Sequence, residues 1–126
     1  MIDHIGLFVA DAAKRADFYE KLLAPLGYVK KAAYPTAVCF ANDEDGDGPI
    51  WLESPKDGNP VVPSHVAFRA KTADAIKAFH EAGLAAGGTD NGKPGPRPNY
   101  GPGYYAAFVH DPDGNNIEAM LNDYQA

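Results

Sequence analysis

The sequence predicts an α+β domain built from two βαβββ modules, and three observations carry that expectation. The first is an internal repeat. "DHIGLFVADAAKRADFYEKLLAPLG" aligns with "SHVAFRAKTADAIKAFHEAGLAAGG" at one constant offset. The alignment brings His4 onto His65, Phe18 onto Phe79, Leu23 onto Leu84 and Gly27 onto Gly88. Self-similarity of this kind is weighed before any local signal. The second is a change of period inside each copy, from strand-like alternation to helical spacing. The third is a set of short strand-like runs with turn signals that closes each copy. Module one covers 1–60 and module two 61–126, together a single domain over 1–126.

The elements follow in chain order. "IDHIGLFVA" alternates and is rich in strand formers, so it reads as a strand. Asp11 offers a helix N-cap. Phe18, Tyr19, Leu22, Leu23 and Leu26 then recur at helical spacing, with Gly27 as the stop. Strands are expected at about 28–34, 36–41 and 49–54. In module two "SHVAFRA" is the strand and Thr72 the cap. Ile76, Phe79 and Leu84 form the apolar face, and Gly87-Gly88 ends the helix. Two strands are expected at about 104–110 and 115–121, joined by the turn "DPDG". The strand before them has no clear place. A loop at 87–103, with six Gly and four Pro, stands there instead. It reads equally as a lid over a ligand, contributing Arg97 and Tyr100, or as a plain surface loop.

Composition bounds the function. With 126 residues, 45% apolar and 22% charged, the chain is long enough for one core and ordinary for a soluble protein. No apolar run approaches the roughly 18 residues of a membrane helix, and the start lacks signal-peptide character. A cytoplasmic location is expected. The formal charge of -6 and the absence of basic clusters argue against nucleic acid. Cys39, the single cysteine, excludes an internal disulfide and reads as a buried apolar thiol.

The stretch "NDEDGDGPIWLES" imitates the front half of a calcium loop through Asp43, Asp45, Asp47 and Gly48. Counted from Asp43, however, the twelfth position is Ser54, and Glu53 falls one place short of the required bidentate glutamate. Strands rather than helices flank it. The expectation is an acidic hairpin turn at 42–48 without calcium.

Four residues carry metal-ligand chemistry. His4 and His65 are equivalent on the first strands of the two modules. "IWLES" set against the last strand places Glu53 on Glu118, at a slightly longer offset that a small insertion explains. A pseudo-two-fold would bring two imidazoles and two carboxylates together around a divalent transition metal with open positions. Without Glu53, the set His4, His65 and Glu118 has the two-His-one-carboxylate pattern of non-haem Fe(II). Trp51, Tyr100, Tyr104 and Tyr105 are candidate pocket walls, although strand aromatics are more often core. His80 and His110 read as structural.

These residues resemble a family. The doubled βαβββ plan, "DHIGLFVAD", "FYEKLLAPLG", "HVAF" and above all "FVHDPDGNNIEAM" look like the vicinal oxygen chelate superfamily. That group includes glyoxalase I, extradiol dioxygenases and the fosfomycin and bleomycin resistance proteins. The resemblance implies a cup-shaped mixed sheet, a homodimer and a small-molecule substrate. It implies metal ligands at His4, Glu53, His65 and Glu118, holding Ni, Zn, Mn or Fe. It also implies a glyoxalase-like reaction in which Glu118 or Glu53 moves a proton while the metal stabilises an enolate. A binding or resistance protein without turnover and a single-domain Fe(II) dioxygenase are the alternatives. Phe8 stands where bacterial glyoxalase I carries a glutathione-binding Arg, and Asp57 stands near the place of a glutathione-contacting Asn, so the resemblance leaves the use of glutathione open.

Overall fold

The computed structural model describes residues 1–44 and 47–126. Asp45, part of the predicted acidic turn, lies outside the described residues. The elements are β1 (Ile5–Phe8), α1 (Ala12–Leu23), a 3-10 turn (Ala24–Leu26), β2 (Val29–Tyr34), β3 (Ala37–Asn42) and β4 (Asp47–Glu53). Then come β5 (His65–Arg69), α2 (Ala73–Ala85), β6 (Thr89–Pro96), β7 (Tyr105–His110) and β8 (Asn116–Leu121). They form two mixed four-stranded sheets of identical plan, ordered β1-β4-β3-β2 and β5-β8-β7-β6. In each, the first strand pairs in parallel with the last and the other pairs are antiparallel.

Both helices start where the caps predict. The Asp11 side chain accepts from Lys14 N (3.1 Å) and Thr72 Oγ1 from Ala75 N (3.1 Å). Each satisfies an amide that the first helical turn leaves unpaired, a contribution of about 1 kcal/mol. Phe18, Tyr19, Leu22 and Leu23 of α1 and Ile76 and Phe79 of α2 are buried with Leu7, Val9, Ile50, Leu52 and Ile117 in one core. Leu84 departs from expectation and is 39% exposed. Its neighbour Gly83 faces α1 instead, where a Cβ would stand 2.8 Å from Leu22 Cδ1. Gly27 closes the 3-10 turn at φ 87° rather than α1 itself.

The segment 87–103 corrects the sequence reading, because about half of it is strand. β6 occupies Thr89–Pro96 and pairs with β7, supplying the strand that had no clear place. Its register breaks between Asp90 and Gly92 and again between Gly92 and Gly95, which is why no alternation marks it.

The two ends of β1 approach module two in different ways. At one end Phe8 O accepts from Asn115 Nδ2 (3.0 Å), while Asn115 Oδ1 accepts from Ser64 N (2.8 Å). At the other end His4 and Ile5 share a cleft of about 300 Å³ with Ala67, Phe68 and Arg69. The seam between the modules is further closed by Arg15 on Asp113 (2.8 Å) and by Tyr19 OH on Asp111. Among the described residues no helix is long and apolar enough to cross a membrane.

Candidate metal centre

Strand alternation separates two faces on each sheet. Leu7, Val9, Ile50, Leu52, Phe68, Ile117 and Ala119 are buried in the core under the helices. His4, Gly6, Phe8, Trp51 and Glu53 alternate with the first set and line the opposite, open face of the first sheet. His65, Ala67, Phe108 and Glu118 line the open face of the second.

The second sheet holds the more finished cluster. His65 Nδ1 lies 2.9 Å from the Asn116 carbonyl oxygen. A carbonyl only accepts, so Nδ1 carries the hydrogen. His65 Nε2 stands 3.1 Å from Glu118 Oε2. Nε2 is therefore the nitrogen turned toward a carboxylate oxygen. Two acceptors at that distance need positive charge between them, either a proton on Nε2 or a cation. Two donors bound at about 2.1 Å to one ion stand about 3 Å apart, so nitrogen and oxygen are spaced as neighbouring ligands. The Asn116 carbonyl fixes the ring as outer partners of metal-bound histidines do. Glu118 is 4% exposed, and its other oxygen accepts from Tyr104 OH at 2.5 Å. Burial of Tyr104, then the Glu118 hydrogen bond and charge, raise this phenol's pKa to about 12. The His65 ring stacks on Phe108 (centroids 6.4 Å), over which Arg97 also lies at 5.6 Å.

The first sheet holds the other pair. His4 Nδ1 lies 2.6 Å from Asp3 Oδ1 at an exposed position, leaving Nε2 for other partners. The Glu53 carboxylate folds over Gly6, where an added Cβ would collide with it. Within one chain the two pairs stay apart. Among the described residues no three His, Cys, Asp or Glu side chains come together as a metal-holding group. His4 shares its cleft with Ala67, Phe68 and Arg69, whereas Phe8 O is bonded by Asn115, which also holds Ser64 N at the start of β5.

The strand pairing also revises the repeat. Glu118 pairs with Ala67, whose counterpart Gly6 pairs with Trp51. Glu53 pairs with Phe8, two residues further along the same face. Trp51, not Glu53, thus occupies the place of Glu118 in module one. A shift of two preserves the face, so sequence alternation could not detect it.

The remaining predicted residues are placed as follows. Trp51 stacks on Tyr34 at 6.4 Å and 17° on the open face of the first sheet. Tyr100 is 59% exposed, its ring edge-on to Tyr104 at 5.4 Å. Arg97 spends its guanidinium on the carbonyls of Lys93 (2.7 Å) and Gly95 (2.8 Å). Tyr105 is 4% exposed among core residues, against Tyr124, and so faces the helices rather than the cup. His80 is buried and bonds Asp90 (2.9 Å), tying α2 to β6, and this bond first of all lowers the Asp90 pKa. Burial, partly offset by Lys31, raises the Cys39 thiol pKa, as suits an unreactive apolar thiol. The sequence offered Tyr104 as a pocket wall. Its bond to a glutamate fourteen residues away had no local signal.

Tyr104 is aimed by the chain around it. Its N–H donates to Gly101 O (3.3 Å), and its carbonyl accepts from Arg97 N (2.7 Å). Gly103 has φ 79°, and a Cβ there would stand 2.9 Å from Asn122 O. Gly103→Ala is expected to cost about 1–3 kcal/mol in urea unfolding, through left-handed strain and the backbone clash. Gly87→Ala shares a positive φ (108°) but meets nothing within 4 Å, and is expected to cost less. Equal costs at the two sites would refute the clash argument.

Comparison with known proteins agrees with this architecture. A family model described as the Glyoxalase/Bleomycin resistance protein/Dioxygenase superfamily matches residues 1–119. A glyoxalase/bleomycin resistance protein from Albidiferax ferrireducens T118 is 31% identical, with TM-score 0.81, over 95% of this chain and 97% of that one. An integron cassette protein from V. cholerae is 26% identical, with TM-score 0.65, over 95% and 93%. A family enzyme from Burkholderia phytofirmans PsJN, 16% identical with TM-score 0.70 over 95% and 97%, shares the fold. A search of curated proteins finds no match. The repeated βαβββ plan, the family match over nearly the whole chain and the Albidiferax likeness agree, and the chain belongs to the glyoxalase/bleomycin resistance protein/dioxygenase superfamily.

Proposed function

We propose that the protein is a metal-dependent, glyoxalase-like enzyme of the cytoplasm, acting on a small substrate with adjacent oxygens. One observation carries the reading. A buried glutamate oxygen and the Nε2 of a ring-fixed histidine face each other at 3.1 Å, the spacing of two ligands on one ion. His65 and Glu118 form one half of the centre and His4 belongs to the other. A second copy of the chain in a two-fold dimer would bring the halves together and make two identical sites. Phe8 (48% exposed), Tyr34 (60%) and Tyr100 (59%) leave apolar surface for that contact or for substrate. A bound divalent ion (Ni, Zn, Mn or Fe) supplies Lewis-acid stabilisation of an oxyanion forming on the substrate. Glu118 is committed to Tyr104 and His65. Glu53 is less buried and accepts no hydrogen bond among the described residues, so it is the better proton acceptor.

The second reading, an Fe(II) oxygen enzyme, is favoured by Trp51. With an indole in the register position of the fourth ligand, the donors reduce to His4, His65 and Glu118. One experiment addresses both readings. Trp51 is the single tryptophan, so its fluorescence reports on the site alone. Ni(II) or Co(II) is expected to quench it by more than half at about one ion per chain. Loaded protein is then offered hydroxyacetone in D2O. Exchange of its carbon-bound protons, lost in Glu53→Gln, supports the glyoxalase-like chemistry. Oxygen uptake with Fe(II) and a catechol probe, without proton exchange, selects the second reading. Neither quenching nor metal uptake overturns both.

A further inference from the structure

We propose that Tyr104 is a positioning residue for Glu118: its phenol captures Oε1, so that Oε2, beside His65 Nε2, is the oxygen that would be left to hold a bound ion. The inference rests on the metal reading above and adds to it how the carboxylate is presented. The terminal torsion of a glutamate is broad and roughly two-fold, so an unrestrained carboxylate can offer either oxygen or both. Here the two oxygens have different partners, Tyr104 OH at 2.5 Å and His65 Nε2 at 3.1 Å. The phenol is itself fixed. Its backbone is bonded on both sides, to Gly101 O and from Arg97 N, and its ring meets Tyr100 edge-on. The segment at 97–104 thus has a purpose that its Gly and Pro content does not announce. It returns the chain from β6 to β7 with one hydroxyl aimed at the buried carboxylate.

A purely structural tyrosine would influence stability and leave ion binding unchanged. The test is therefore a Co(II) titration of the full chain, followed by the visible ligand-field spectrum, with the melting temperature of the metal-free protein measured in parallel. Tyr104→Phe is expected to weaken Co(II) about ten- to a hundredfold, the usual effect of removing an outer partner of a ligand. Its spectrum is expected to shift as the second carboxylate oxygen becomes available. Glu118→Asp shortens the carboxylate away from the phenol. In that background Tyr104→Phe is expected to add less than about twofold, because the bond is already lost. Unchanged affinity and spectrum in Tyr104→Phe, or independent effects of the two substitutions, would overturn the proposal and leave the metal reading intact. Failure of the wild type to take up Co(II) would overturn that reading and this proposal together.

Discussion

His65→Ala is expected to abolish metal uptake, lowering affinity by more than about a hundredfold, and to remove catalytic activity with it. Loss of an outer partner alone costs ten- to a hundredfold, and an inner ligand should cost more. Glu118→Gln should do the same while keeping shape and volume. The two variants diverge in stability. Removing His65 leaves the Glu118 carboxylate, 4% exposed, without the group that faces Oε2. A buried charge stripped of its partner is destabilising, so His65→Ala should lower the melting temperature of the metal-free protein. Glu118→Gln removes the charge itself, and Tyr104 OH can still donate to the amide oxygen. It should leave the metal-free protein within about 1 kcal/mol of wild type, or stabilise it. Inductively coupled plasma measurement of metal, paired with thermal melts, separates the outcomes. Normal metal content in both variants would exclude the proposed centre. Loss of metal with a large loss of stability in Glu118→Gln would mean that Glu118 serves the fold first.

The sequence foretold the parts of this picture that depend on local chemistry. Asp11 and Thr72 cap helices because a short acceptor side chain reaches an amide three residues on, a relation the sequence displays directly. Phe18, Tyr19, Leu22 and Leu23 are buried because their spacing makes one helical face. Other features depend on relations that no short window contains. β6 lies among Gly and Pro because an edge strand with two register breaks needs little alternation. Leu84 is displaced by Gly83 because helix approach rewards absence of a side chain, which apolar periodicity cannot register. Glu53 matched Glu118 by eye because both lie on open faces, yet β1 and β4 pair so that Trp51 takes that place. His4 and His65 were expected to converge by symmetry, yet among the described residues of one chain they join no group of three metal-holding side chains.

Asp111→Ala is expected to have the largest effect on folding, about 3–5 kcal/mol in urea unfolding and more than about 10 °C in melting temperature. The sequence reads Asp111 only as the start of the "DPDG" turn. In the structure it is 3% exposed and collects four donors: Tyr19 OH, Asp113 N (2.9 Å), Asn115 N (2.9 Å) and Asn115 Nδ2 (2.8 Å). The first comes from α1 in module one. Asn115 in turn reaches Phe8 O and Ser64 N, so one carboxylate organises the turn before β8 and ties the two modules together. Alanine would leave several buried donors unpaired at once, each at about 1–3 kcal/mol, in a domain whose whole stability is about 5–15 kcal/mol. Tyr19→Phe removes one donor and should cost less, about 1–3 kcal/mol. It should also change the alkaline limb of the stability profile. Burial first, then the Asp111 charge and hydrogen bond, push the Tyr19 pKa well above its ordinary value. A raised folded-state pKa means that the phenol's contribution is fully present below the unfolded value of about 10. The contribution is then lost as pH rises through the folded value. Wild type should therefore lose stability above about pH 10 more steeply than Tyr19→Phe, the difference between them narrowing as pH rises. Parallel profiles would show that the Tyr19 phenol is not the group that titrates, and would detach the alkaline transition from the seam between the modules.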